Sequence, residues 1–212
     1  MSDWLEFRPS GRVILHTGKV NIGQHITSAL VLIAAEELNI DPNQIAVAQT
    51  RTGSSPNENY TVGSQSMQHS GYAIKKAAAT ARNELTVRAA KFFSVSVEQI
   101  KIEDGNLFIE KTNQSISYWE LLKNSPLECY VDETVDVKNH ALHQLQGKHH
   151  IARGMWDIVT GKYEFIQDLK LPNMLHARVI RPPQYHAKLV SVEKKLIDKL
   201  ADENIYLVRD GS

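Results

Sequence analysis

The chain has 212 residues, with 24 Lys and Arg against 24 Asp and Glu and a formal net charge of zero. No basic run appears, which argues against nucleic acid as a partner. The single cysteine, Cys129, excludes an internal disulfide and any iron–sulfur cluster held by this chain alone.

Met1–Arg8 has neither the basic nor the apolar region of a secretory signal. No apolar run is long enough to cross a bilayer, so no membrane span is expected and the location is read as cytoplasmic. After the turn Pro9-Ser10-Gly11, Arg12–His16 reads as a strand. The run His25–Leu38 follows Gly23-Gln24 and reads as a helix. Ile26, Ala29, Leu30, Ile33 and Ala34 form one stripe at i, i+3, i+4, i+7 and i+8. Glu36-Glu37 is expected to be the solvated end of that helix, closed by Asp41-Pro42. Ile45–Gln49 reads as a short strand, and Thr52–Asn59 as a polar loop of the kind that faces ligands.

The run Met67–Phe93 predicts a long second helix with Ile74, Ala77, Ala78, Ala81, Leu85, Ala89 and Phe92 on its buried face. Its small residues imply close packing. Gln99–Glu103 and Leu107–Lys111 flank a hairpin turn at Asp104-Gly105-Asn106, and Ser117 caps a short helix, Tyr118–Lys123. Periodicity fades between Ser125 and His150, which reads as a crossing segment or a linker. Tyr163–Leu169, Ala177–Ile180, Leu189–Val192 and Tyr206–Arg209 read as strands, with Glu193–Leu200 a helix. Ending at Ser212, just after a strand begins, the sequence looks truncated.

Two turns carry the chemistry. Lys19-Val20-Asn21-Ile22-Gly23-Gln24 opens the first helix, and Tyr60-Thr61-Val62-Gly63-Ser64-Gln65-Ser66 opens the second. A helix start offers unpaired N–H groups and the positive end of a dipole, and glycine lets the backbone approach a ligand. Two such starts point to an anionic ligand, with a phosphate-bearing cofactor the expected one.

Gly18–Gln24 resembles the Met-Gly-Gln-Gly loop of the molybdenum hydroxylases, the xanthine dehydrogenase and aldehyde oxidase family. Thr61–Met67 resembles that family's second pterin-binding stretch. Leu169–Arg178, with Arg181-Pro182-Pro183, resembles the opening of its hammerhead domain. The order, cofactor segment before hammerhead, is similar to large subunits of the isoquinoline 1-oxidoreductase and nicotinate dehydrogenase types. His25 and Asn173 stand where Gly is usual. The resemblance implies an α+β fold, with residues 1–145 a segment of a molybdopterin-binding domain and 146–212 the start of an α/β hammerhead domain.

It also implies molybdopterin with molybdenum as cofactor, in plain or cytosine-dinucleotide form. Ile22, Gly23 and Gln24 would lie by the dithiolene and the metal's oxo ligands. Gly63, Ser64, Gln65 and Ser66 would hydrogen-bond the pterin or its phosphate. No protein side chain is expected as a metal ligand, because the dithiolene holds the molybdenum. The reaction implied is hydroxylation of N-heteroaromatic rings or oxidation of aldehydes with oxygen from water. Electrons would leave to 2Fe–2S clusters on a small partner subunit. The family's catalytic glutamate is expected beyond Ser212, so the 212 residues alone are expected to be inactive.

Other readings stay open on the residues themselves. Gly23-Gln24 can be a plain strand-to-helix turn, and Ser64 and Ser66 plain N-caps. His140, His143, His149 and His150 read as solvated histidines of a linker, His69 as lying on a polar helix face, and His176 and His186 as structural. Two rival functions remain: a non-catalytic binding or assembly module, and an unrelated small phosphate-binding domain. The second would gain if the two helix starts lay far apart.

Overall fold

A computed structural model describes residues 3–208. The chain forms two compact units, Met1–Asp168 and Leu169–Ser212.

In the first unit, strands β1 (Leu5–Arg8) and β2 (Arg12–Leu15) pair antiparallel across a turn at Gly11. The chain then crosses through helix α1 (Ile26–Leu38) to strand β3 (Ile45–Val47), which pairs parallel to β2. Strand β1 escaped the sequence reading, because Leu5–Arg8 is short and partly polar. Helix α2 (Tyr72–Phe93) packs on α1. Ala34, Ala77, Ala78 and Ala81 are fully buried, so small side chains bring the helices close. Leu5, Val13, Leu15, Leu30, Leu38, Ile74 and Leu85 complete that core. Phe92, expected on the buried face, is 61% exposed and stacks edge-on against Phe93 at 5.1 Å.

A second sheet is an antiparallel meander of β4 (Ile100–Glu103), β5 (Asn106–Ile109) and β6 (Ser115–Ser117). The expected hairpin is present. Asp104 and Gly105 both take positive φ, 44° and 71°, as a type I′ turn requires. Ser117 caps α3 (Tyr118–Leu122) in a reciprocal capping box with Glu120. Tyr118 is fully buried, and its hydroxyl donates to the carbonyl of Leu38 at 2.8 Å, tying this sheet to the end of α1.

The start of the second long helix differs from expectation. Residues Ser66–Gly71 form a π-turn, and regular α-helix begins at Tyr72. A Cβ on Gly71 would sit 3.1 Å from the end of the Ile33 side chain, so glycine permits the approach of α1 here. Such π-turns concentrate at functional sites.

Of the two expected alternatives, residues 125–150 are the crossing segment rather than a free linker. Segments of this stretch are strapped across α1 and α2 by hydrogen bonds to buried side chains, detailed below, rather than by an apolar stripe. That is why periodicity fades there. It leads into a five-residue helix, α4 (Met155–Val159).

In the second unit the described residues contain no strand. Residues 177–180 and 189–192 have no regular structure, and Ile166–Asp168, at the end of the first unit, is a single 3-10 turn within the expected strand 163–169. Val179 and Ile180 are 77% and 83% exposed, so their β-branched side chains find no partner strand to pack with. The regular element is α5 (Lys194–Asp202). Residues 206–208 likewise form no strand, and Arg209 lies outside the described residues. Among the described residues no helix is long and apolar enough to cross a membrane.

Candidate functional site

The two glycine turns are zipped together. Glu58 accepts from the Thr17 hydroxyl and the Gly18 N–H through one oxygen, both at 2.6 Å. A Cβ on Gly18 would run into the Pro56 carbonyl, so glycine is required for this contact. Lys19 reaches across to the carbonyls of Glu58 and Tyr60, at 2.5 and 2.8 Å. The Val20 N–H donates to the Thr61 hydroxyl at 3.2 Å. Sequence reading missed Thr17, Lys19 and Glu58. Their partners lie about forty positions away, and no local pattern marks such pairs.

Beyond the zipper both loops face one open groove of about 380 Å³. Ile22, Gln24 and Ile26 line one side; Thr61, Val62, Gly63, Ser64, Ser66 and Met67 line the other. Five of the seven candidate residues thus meet in one place. Gly23 and Gln65 belong to the same loops but do not line the groove. The starts of the two helical segments lie together, as a shared site requires.

Both starts leave backbone donors free. At α1, Asn21 is the working cap: its Oδ1 accepts from Thr27 N–H at 3.2 Å and its Nδ2 donates to the Thr27 hydroxyl at 2.8 Å. The His25 carbonyl accepts from Ser28 and Ala29 N–H groups. Among the described residues the N–H groups of Gly23, Gln24, His25 and Ile26 have no partner. At the π-turn, the N–H groups of Gly63, Ser64 and Ser66 have no partner among the described residues. Neither Ser64 nor Ser66 acts as a cap; the position before the turn is Gln65, without a side-chain cap bond. Gly63 and Ser64 are consecutive left-handed residues, φ 62° and 56°.

Gln24 is folded onto its own loop. Its Oε1 accepts from Ile22 N–H at 2.6 Å, and its Nε2 donates to the Val20 carbonyl at 3.1 Å. One Nε2 hydrogen remains for a ligand. Gly23 holds φ 101°, and a Cβ there would meet no protein atom within 4 Å, so the backbone is bare on that side. His25 adopts φ 58°, the left-handed conformation that accounts for glycine being usual there.

A second groove of about 460 Å³ adjoins the first, sharing Ala29 and Met67. Residues 145–148 and His150 form its far wall. That wall is held by Glu36 and Glu37, which are buried (1% and 0% exposed) rather than solvated as expected. Glu36 accepts from Lys138 Nζ at 2.7 Å and from the N–H groups of Gln144, Leu145 and Gln146. Burial alone would raise the Glu36 carboxyl. The Lys138 bond and the three amides outweigh it and hold the group at about 2. Glu37 accepts from Arg82 at 2.9 Å and from the Lys138 N–H at 3.0 Å, with Lys75 at 3.7 Å. The charges at the end of α1 thus fold the strap down beside the groove between the two loops.

Among the described residues no group of three or more His, Cys, Asp or Glu could hold a metal ion. His140 and His143 stack at 4.7 Å, and His150 Nε2 lies 2.8 Å from the Leu145 carbonyl, so these histidines brace the strap.

Residues 2–166 match the family model described as the molybdopterin cofactor-binding domain. Over 173 residues, 82% of the chain, the sequence is 33% identical to a nicotinate dehydrogenase subunit of Pseudomonas putida. Over 117 residues, 55% of the chain, it is 29% identical to the gamma subunit of the 6-hydroxypseudooxynicotine dehydrogenase complex of Paenarthrobacter nicotinovorans. The chain spans 14% and 15% of the length of these two relatives. The reconstituted CO dehydrogenase from Oligotropha carboxidovorans superposes with a TM-score of 0.50 at 24% identity, over 55% of this chain and 15% of that one, a likeness of fold. The family match covers the sheet β1-β2-β3, both zipped loops and the strap, and the chain belongs to the molybdopterin cofactor-binding domain family of the molybdenum hydroxylases.

Proposed function

We propose that the groove between residues 22–24 and 63–66 holds the pterin of molybdopterin, and that the complete protein is an oxidoreductase built around it. The carrying observation is that two loops forty residues apart, each matching a cofactor loop of the family, line one groove. The lining suits the group. Ile22, Ile26, Val62 and Met67 give apolar walls for a flat ring system, and no acidic side chain lines the groove. The partnerless N–H groups of Gly63, Ser64 and Ser66 suit a phosphate. When bound, the cofactor supplies molybdenum redox chemistry with oxygen taken from water.

This chain's residues bind and orient. Gln24 Nε2 offers one N–H toward the metal end, and an amide donates there without competing as a ligand. Gly23 leaves space for close approach. The hydroxyls of Ser64 and Ser66 supplement the second loop. The substrate reading is an N-heteroaromatic ring or an aldehyde, supported by the name of the nicotinate dehydrogenase relative. Both relatives are named as subunits, which supports a multi-subunit enzyme, with a small 2Fe–2S subunit as the proposed electron exit. Residues 169–212 are proposed to open a hammerhead domain, on the strength of Leu171-Pro172-Asn173-Met174-Leu175 and Arg181-Pro182-Pro183.

The test is to purify the complete protein and count pterin and molybdenum per chain, in wild type and in Gly63→Val. Wild type should hold both near one per chain. The variant loses the left-handed glycine of the second loop and should hold little of either. A wild-type protein free of pterin contradicts the reading.

A further inference from the structure

The two zipped loops carry two formal charges, Lys19 and Glu58. Among the described residues no ion pair joins them. Glu58 spends one carboxylate oxygen on Thr17 and Gly18. Lys19 is 1% exposed, and the partners of its Nζ are two neutral carbonyls, those of Glu58 and Tyr60. Burying an ammonium is costly, and the bonds to the two carbonyls offset that cost while giving those carbonyls a donor. That local need does not say what the link holds in place.

Its position does. The two carbonyls belong to the residues immediately ahead of Thr61–Ser66, the stretch that lines one side of the groove. The Val20–Thr61 bond continues the same seam by one more step. A lysine holding both Glu58 and Tyr60, in the irregular segment that leads into the second loop, fixes how far that loop stands from Ile22–Gln24. It also places a buried positive charge against the residues that lead into the loop whose Gly63, Ser64 and Ser66 N–H groups have no partner among the described residues. Resting on the reading of the groove as a pterin site, we propose that Lys19 is the positioning residue that sets the spacing of the two loops and so governs retention of the anionic cofactor.

The test uses the complete protein with its partner subunits. Bound pterin is counted by fluorescence after oxidative release, molybdenum by mass spectrometry, and the thermal midpoint is recorded for every variant. The variants are Lys19→Met, Lys19→Arg and, as a control in the other sheet, the fully buried Leu107→Ala. Lys19→Met should keep less than about a tenth of the wild-type pterin, since loss of a buried charged donor is worth a decade or more. Lys19→Arg keeps the charge and two donors and should retain most of it. Leu107→Ala should lower the midpoint by cavity formation yet retain pterin. Full pterin in Lys19→Met overturns the proposal. So does pterin loss that merely follows the midpoints of Lys19→Met and Leu107→Ala, or an Arg variant as empty as the Met one. Should Lys19→Met fail to accumulate, Thr17→Val decides, since it removes a bond of the same seam and Thr17 does not line the groove: pterin loss at an unchanged midpoint supports the seam, and unchanged pterin overturns it. Wild-type protein without pterin defeats the cofactor reading itself, which is a separate result.

Discussion

Gln24 shows how a residue's place can be legible while its geometry is not. Its position after glycine at a helix start pointed to the groove that it lines. Its clamp on Ile22 and Val20 depends on a rotamer that no sequence pattern encodes. The clamp refines the expected effect of mutation. Gln24→Glu keeps an acceptor for the Ile22 N–H and removes the Nε2 donor. Turnover of the complete enzyme should fall about a hundredfold or more, as for loss of one preorganised donor. Because Gln24 is exposed, stability should stay within about 1 kcal/mol. Steady-state kinetics at matched molybdenum content, with denaturant unfolding alongside, checks both; unchanged turnover removes Gln24 from the site. Gly23 is the complementary case. Gly23→Ala meets no protein atom and suffers only from φ 101°, so a stability loss of about 1–2 kcal/mol is expected. A much larger loss in urea titration would mean that Gly23 packs against something outside the described residues.

At the scale of elements, α1, α2 and the hairpin at Asp104-Gly105 were readable because periodicity and turn chemistry are local signals. The strap was not. Glu36-Glu37 at a helix end reads as solvent-facing, and its burial comes from Arg82 and from Lys138, about a hundred positions on. The expected strands past residue 169 failed for the converse reason: local β-branched content was present, and no partner strand was. The Glu36 clamp makes a pH prediction. Its folded carboxyl sits at about 2, below the ordinary value of 4.5, so the folded state favours the ionised form. That contribution is complete above pH 4.5 and is lost as pH falls from there toward 2. Its size is about 3 kcal/mol, from the shift converted at 1.36 kcal/mol per unit. Glu36→Gln should therefore destabilise by about that amount at pH 7 and by little near pH 2. Denaturant midpoints of wild type and variant across that range test this. A penalty independent of pH would mean that the carboxylate charge is not what holds Gln144–Gln146.

For the whole molecule, three segments in order, Gly18–Gln24, Thr61–Met67 and Leu169–Arg178 with Arg181-Pro182-Pro183, were enough to reach the family. The spatial relation of the first two required the fold, because the seam of Lys19, Glu58 and Thr61 that joins them is non-local. On the proposed reading, in which a small 2Fe–2S subunit is the electron exit, the active complex should contain iron. Metal analysis of the active, purified complex checks this, and full activity without iron contradicts it. The central claim is that two loops share one cofactor. It is tested most directly by an experimental structure of the complete, cofactor-loaded protein. Both the Gln24 amide and at least one N–H among residues 63–66 should lie within about 3.5 Å of the same bound pterin cofactor. A pterin bound elsewhere, or touching one loop only, would contradict the account.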